Sequence, residues 1–184
     1  RGFIVDKEMR AQALPQPAKP FSGPSQARIH RQRSVGMEVV VVESTPVTDL
    51  HLTLTPKAGE TPFDLVGRLA KVLADWDATM VRQLVFGSVA AHQPTVTALK
   101  QMFGRSVFPV TWVEGAGCGD NPVSGMQVHA IAGANVRTEQ TANGMVACSW
   151  DDALATHCVL NGLGPTRFDQ TSPHQTAETL ENIL

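Results

Sequence analysis

The chain has no tyrosine, only three cysteines in 184 residues, and an aromatic content of just 5%. An odd cysteine count with no CxxC spacing argues against a disulfide framework and against a structural zinc site. A reducing, cytoplasmic setting is therefore expected. No apolar run approaches the roughly 18–20 residues that a membrane-crossing helix needs, so no membrane partner is expected. The opening "RGFIVDKEMR" has neither the apolar segment nor the small-residue cleavage site of a signal peptide. It also lacks an initiator methionine, and the protein's own N-terminus is expected upstream. There is no phosphate loop. Gly-Leu-Gly-Pro at 162–165 lacks the strand–GxGxxG–helix context of a nucleotide fingerprint, so no cofactor is expected.

What is present is enough apolar material for a core. Hydrophobic residues make up 42% of the chain, which suits one domain, or one domain and part of another. The formal net charge of −2 is unevenly spread. Residues 1–36 hold seven basic side chains (Arg1, Lys7, Arg10, Lys19, Arg28, Arg31 and Arg33) against Asp6 and Glu8, a net +5 that leaves −7 for the rest. This reads as a basic arm lying on an acidic body. It is poor in aromatics and leads to a body of the wrong sign for phosphate, which disfavours nucleic acid as a partner.

Residues 1–36 read as an extended arm because "PQPAKPFSGPSQ" (Pro15–Gln26) places four prolines and a glycine in twelve positions. "MEVVVVES" from Met37 is a β-branched strand, and "DLHLTLT" (Asp49–Thr55) alternates as a half-buried strand does. In "TPFDLVGRLAKVLADW", Thr61 suits the N-cap, Pro62 the first helical position and Asp64 the first turn. Phe63, Val66, Leu69, Ala70 and Leu73 are expected to form its apolar stripe. "MVRQLVFGS" (Met80–Ser88) is a strand, and "PTVTALKQMF" (Pro94–Phe103) a short helix stopped by Gly104. Two strands, "FPVTWVEG" and "GMQVHAIAG", flank a glycine-rich loop. The order β-β-α-β-α-β-β predicts an α+β architecture, one sheet with two helices on a single face.

The pattern then restarts. "GMEVVVVES" at Gly36 is echoed by "GMVACSWDD" at Gly144, and "TPFDLVGRLAKVL" at Thr61 by "SPHQTAETLENIL" at Ser172. "THCVLNG" (Thr156–Gly162) stands where the second strand stood. Residues 37–135 thus read as a first repeat, and 144–184 as the opening strands and helix of a second, incomplete one. Two strands and a helix bury too little alone, so another chain or a continuation is expected to complete it.

The element order, the strand "FPVTWVEG", the closing strand "GMQVHAIAG" and the helix start "DQTSPHQTAETLENIL" (Asp169–Leu184) resemble the RidA/YjgF family. Tandem members of that family include chorismatases. The resemblance implies a chorismate-mutase-like fold, a homotrimer or pseudo-hexamer, and a small-molecule ligand in clefts between subunits. In the family's enamine/imine deaminases an arginine two places after the Phe-Pro proline grips the substrate carboxylate, and a glutamate of the closing strand handles water or protons. Thr111 and His129 stand at those positions here, and the family's site tyrosine has no counterpart. A threonine cannot supply a guanidinium fork, which argues against a standard imine deaminase.

Alternation places Thr111, Val113 and Gly115 on one strand face, and Gln127 and His129 on another; with the family's register, the resemblance implies that these five line the intersubunit cleft and bind the ligand. The loop would bring Cys118 and Asp120 over the same cleft, where a Cys118–His129–Asp120 set could activate a thiolate. The plainer alternative is a loop shaped by its glycines, an incidental Cys118 and a packed His129. His51 and His157 occupy similar places in the two repeats but lack ligand-spaced partners along the chain, so no metal is expected. Cys148 and Cys158 read as small hydrophobes on neighbouring strands. The sequence reading is a RidA/YjgF-like small-molecule-binding protein. Its alternatives are a chorismatase-like hydrolase or lyase working mainly through the second repeat, an imine deaminase, and an RNA-directed ribonuclease-type protein.

Overall fold

The structure, a computed structural model, describes residues 27–104, 110–117, 121–140 and 145–162. The described elements run β1 (Arg28–Ser34), β2 (Met37–Glu43), β3 (Thr48–Leu54), α1 (Pro62–Asp75), β4 (Ala78–Gly87), α2 (Val89–Phe103), β5 (Val110–Glu114) and β6 (Val123–Ala132). They continue with β7 (Arg137–Gln140), β8 (Val146–Asp151) and β9 (Thr156–Asn161). The protein is α+β. Strands β1 to β6 form one mixed sheet in the order β1-β2-β3-β6-β4-β5, and β7-β8-β9 form a second. All pairings are antiparallel except β4 with β5. No helix is long and apolar enough to cross a membrane among the described residues.

Both helices cover the same face of the large sheet. Alternate residues of β2, β3, β4 and β6 (Val41, Leu50, Leu52, Val85, Met126, Val128) meet Leu65, Val66, Leu69 and Leu73 of α1 and Ala91, Ala98 and Leu99 of α2 in one buried core. Each such Val, Leu or Met side chain contributes on the order of 1.5–3 kcal/mol through burial. Helix α1 starts where its sequence dictates. The Thr61 hydroxyl accepts from the Asp64 backbone N–H at 3.2 Å, and the Asp64 carboxylate accepts from the Thr61 N–H at 3.0 Å, a reciprocal cap behind Pro62. Its buried stripe is Leu65, Val66, Leu69, Val72 and Leu73, however, and the expected stripe member Phe63 is 46% exposed. Phe63 sits in the first turn, ahead of where the helix meets the sheet.

Helix α2 starts five residues earlier than expected and carries Pro94 inside it. Strand β4 ends at Gly87, and Ser88 turns straight into the helix from an extended conformation (φ −70°, ψ 154°). The fixed φ of proline is itself helical, so only one backbone hydrogen bond is lost at Pro94. At the other end Gly104 adopts φ 61° and closes the helix by donating its N–H to Lys100.

Strand pairing begins inside the segment expected to be an arm. Arg28–Ser34 is strand β1, paired with β2 along its length and turning at Gly36 (φ 72°). Two of its three arginines share one carboxylate, with Arg31 Nε 3.1 Å and Arg33 Nε 3.2 Å from Glu38. Cys148 is buried, but Cys158, expected to pack as a small hydrophobe, is exposed: β9 has one face free.

The second sheet lies on the helix-free face of the first, at one end of it. Val146, Cys148 and Trp150 of β8 pack on Val47, Val81 and Ile131. The buried Asn161 at the end of β9 donates to the Val81 carbonyl at 3.0 Å, tying the sheets together with a backbone bond. The β7-β8-β9 meander pairs antiparallel in chain order as β1-β2-β3 does. The helix expected over residues 172–184 lies outside the described residues.

Candidate functional site on the open sheet face

The part of the large sheet that neither helices nor β7–β9 cover carries the expected ligand residues, in an arrangement set by register. On β3 the residues that alternate away from the helices are Asp49, His51 and Thr53; on β6 they are Gln127, His129 and Ile131. Cross-strand partners form rows. Arg82 of β4 is paired with His129, and His129 with His51. In the next row, Thr111 pairs with Leu84, Leu84 with Gln127, and Gln127 with Thr53.

The strands bearing the two groups of expected residues are not neighbours. Strand β4 lies between β5 and β6, so Thr111 and Gln127 share a face but stand about 10 Å apart, two strand spacings, with Leu84 between them. This crossing explains the glycine-rich loop. The chain must pass over the end of β4 and return antiparallel on its far side. Three backbone segments meet there: Gly115 N–H donates to Gly87 at 3.0 Å, and Ser88 N–H to Pro122 at 2.8 Å. A Cβ on Gly87 would lie 2.8 Å from the Pro122 oxygen, and one on Gly117 would overlap the Asn121 carbonyl oxygen. Asn121 fastens the loop. Its amide donates to the Glu60 carbonyl at 2.7 Å, while its oxygen accepts from Val123 N–H at 3.0 Å. Cys118 and Asp120 lie outside the described residues, so of the proposed Cys118–His129–Asp120 set only His129 is placed.

Two depressions mark the open face. The larger, about 340 Å³, is lined by Phe86, Val113, Gly115, Ser124 and Gln127 among others. The smaller, about 180 Å³, is lined by His51, Thr53, Arg82, Leu84, Gln127 and His129. Gln127 borders both. Val113, Gly115, Gln127 and His129 thus line this ground, whereas Thr111 sits on the same face outside both linings.

His129 does not stand alone. Its Nε2 is 2.8 Å from Asp49 Oδ1, and its ring stacks on His51 with centroids 4.6 Å apart and planes 10° from parallel. Partial desolvation against the sheet lowers the His51 pKa, the neighbouring His129 lowers it further, and Asp49 only partly opposes them, so His51 is held toward its neutral form. The edge of Trp150 closes the other side of His129 at 6.0 Å. Beyond it, Trp150 stacks on His157 at 5.2 Å, and His157 pairs with Asp152 at 2.7 Å. Backbone N–H donation from Leu154, the His157 pair and the N–H of Ala155 together hold the Asp152 carboxyl down at about 2. Arg82 is exposed and has no carboxylate partner among the described residues.

Asp49 and Arg82 were not singled out from the sequence. Alternation alone puts Asp49 on the face of His51, but the pairing that brings both to His129, and Arg82 beside them, exists only in the folded sheet. No protein-family model, curated protein or solved structure matches the chain.

Proposed function

We propose that the chain is a RidA/YjgF-like small-molecule-binding protein whose ligand sits on the open face of the six-stranded sheet. One observation carries this reading. Four of the five residues expected to bind a ligand line two adjoining depressions on the single sheet face that the helices leave free. The larger is near the lower end of the size range of ligand pockets, roughly 300–1,000 Å³. Apolar Phe86 and Val113 offer a surface for a ligand's body, while Gln127, His129 and Arg82 offer polar anchors. Arg82 supplies a cation that Thr111 lacks, one strand away from it. A small organic anion is therefore the ligand class that suits the face best.

In this reading the open faces of three subunits, or of repeats in a pseudo-hexamer, turn toward one another and complete the cleft. Exposed Val113 and half-buried Leu84 and Phe86 are the contact surface. Light scattering is expected to give an oligomer at micromolar concentration; a stable monomer would count against it. A chorismatase-like hydrolase or lyase is the second reading. The meander β7-β8-β9 favours it by repeating β1-β2-β3 on the same chain, as the first part of a second unit would. The local pairing of Arg31 and Arg33 with Glu38 does not favour the RNA-directed reading. Gln127→Ala and Arg82→Ala, assayed by thermal shift against a panel of small organic acids, separate a binding face from a bare one. Loss of a wild-type shift in both variants supports the reading, and a panel that never shifts the wild type speaks against it.

A further inference from the structure

We propose that Asp49, His51 and His129 form a binding site for a borderline divalent transition-metal ion such as Zn²⁺. The three side chains offer one ligand atom each, and all three atoms lie within 4.8 Å of one another. Asp49 and His51 are two apart on β3, so both point to the open face, and His129 is the direct cross-strand partner of His51. A rigid sheet thus presents an Asp-x-His pair and a third donor from the next strand.

The spacing suits a small ion. Ligand atoms bound tetrahedrally at roughly 2.0–2.2 Å stand about 3.3–3.6 Å from each other. The Asp49–His129 contact of 2.8 Å would open by at least about half an ångström around the ion, and His51 would swing in. An ion pair by itself accounts for Asp49 and His129. It leaves His51 laid parallel against another imidazole with no hydrogen-bond partner among the described residues. A shared cation gives both rings and the carboxylate a common partner. Two imidazoles and one carboxylate are a donor set that holds Zn²⁺ or Fe²⁺ while leaving positions open. Those positions would face the depression lined by Thr53, Arg82 and Gln127. Arg82 opposes a bare cation there, but it is exposed, and its charge matches a hydroxide or carboxylate bound to the ion. The ion would share His129 and this depression with the organic ligand proposed above, but Zn²⁺ binding is read with no organic ligand present, so the two readings fail separately.

The test uses the whole chain, free of any affinity tag and stripped with a chelator. Titration with Zn²⁺ is expected to give one ion per chain, and Co²⁺ the visible d–d bands of a four- or five-coordinate site. H51Q, H129Q and D49N each remove a direct ligand and should weaken Zn²⁺ binding by at least about a hundredfold, the upper end of what losing only an outer partner costs, while H157Q leaves it unchanged. Circular dichroism checks each fold; should H129Q fail to fold, H51Q, at an exposed position, carries the same test. Absence of stoichiometric Zn²⁺ binding overturns the proposal. So does binding that survives H51Q, or a thiolate-to-cobalt charge-transfer band, either of which places the ion elsewhere.

Discussion

Replacing Arg68 with methionine keeps most of the side-chain stem and removes a charge that ties α1 to the sheet. Arg68 Nε and Nη2 donate to the two Glu60 carboxylate oxygens at 2.6 and 2.8 Å. Nη1 donates to the Gly36 carbonyl at 3.0 Å and Nη2 to the Thr55 carbonyl at 2.8 Å. One guanidinium therefore joins the β1–β2 turn, the end of β3 and the segment leading into α1. The Glu60 side chain is only 8% exposed and that of Arg68 20%, so this is a mostly buried pair. Removing one partner of such a pair costs about 3–5 kcal/mol, because the other charge stays behind. Lys57 N–H still holds Glu60, and the Gly36 oxygen still accepts from Thr55 N–H, which points to the lower end, about 3 kcal/mol. For a chain of this size that is a fall of roughly 6–12 °C in Tm, read by calorimetry at pH 7. A companion E60Q variant and the double variant complete a cycle, with an expected coupling of about 1–3 kcal/mol. The pH dependence has a definite sign. Burial opposes the Glu60 charge, but Arg68 and Lys57 outweigh it and hold the carboxyl below its ordinary value. The stabilisation is therefore full above that ordinary value and is lost as pH falls through the folded one. The gap between wild type and R68M should narrow in acid. A Tm change under about 2 °C at pH 7 would refute the reasoning and mean that the clasp is solvated.

Gln83 is fully buried in the helix-side core, where its Oε1 has no partner among the described residues. Q83M is expected to raise stability by about 1 kcal/mol in a urea melt, since it removes an unsatisfied polar atom without opening a cavity; a loss of similar size would contradict this. G87A should cost roughly 1–3 kcal/mol in the same assay, because its Cβ would press on the Pro122 oxygen; a neutral substitution would mean that the loop crossing yields easily. The Asp152 carboxyl, held at about 2 in the folded chain, stabilises above its ordinary value of 3.8 and ceases to as pH falls toward 2. The Tm of D152N should accordingly drop less than that of wild type between pH 4 and pH 2, and equal slopes would contradict the assignment.

The elements that were legible in the sequence are those whose signals are local. Thr61, Pro62 and Asp64 announced α1 because a cap is a contact between residues three apart. The alternation in Asp49–Thr55 and the β-branched run from Met37 announced β2 and β3 for the same reason. Strand β1 was not legible: Arg28–Ser34 has no apolar alternation, and it pairs because β2 offers an open edge and Glu38 offers counter-charges. The insertion of β4 between β5 and β6 was also out of reach, since strand order is decided by non-local pairing. The site shows the same division. His129 and Gln127 were expected there from the family resemblance together with alternation along one strand, a signal local to that strand. Asp49 and Arg82 become neighbours of His129 only through the register of β3 and β4 against β6.

The central claim is that the open face of the large sheet binds a small molecule. It is tested most directly by titrating the ¹⁵N-labelled chain with small organic acids and following backbone amide shifts. Saturable shifts are expected, concentrated at Val113, Gly115, Gln127 and His129 and absent in R82A and Q127A. Shifts confined to the helices, or to the β1–β2 edge, would contradict it.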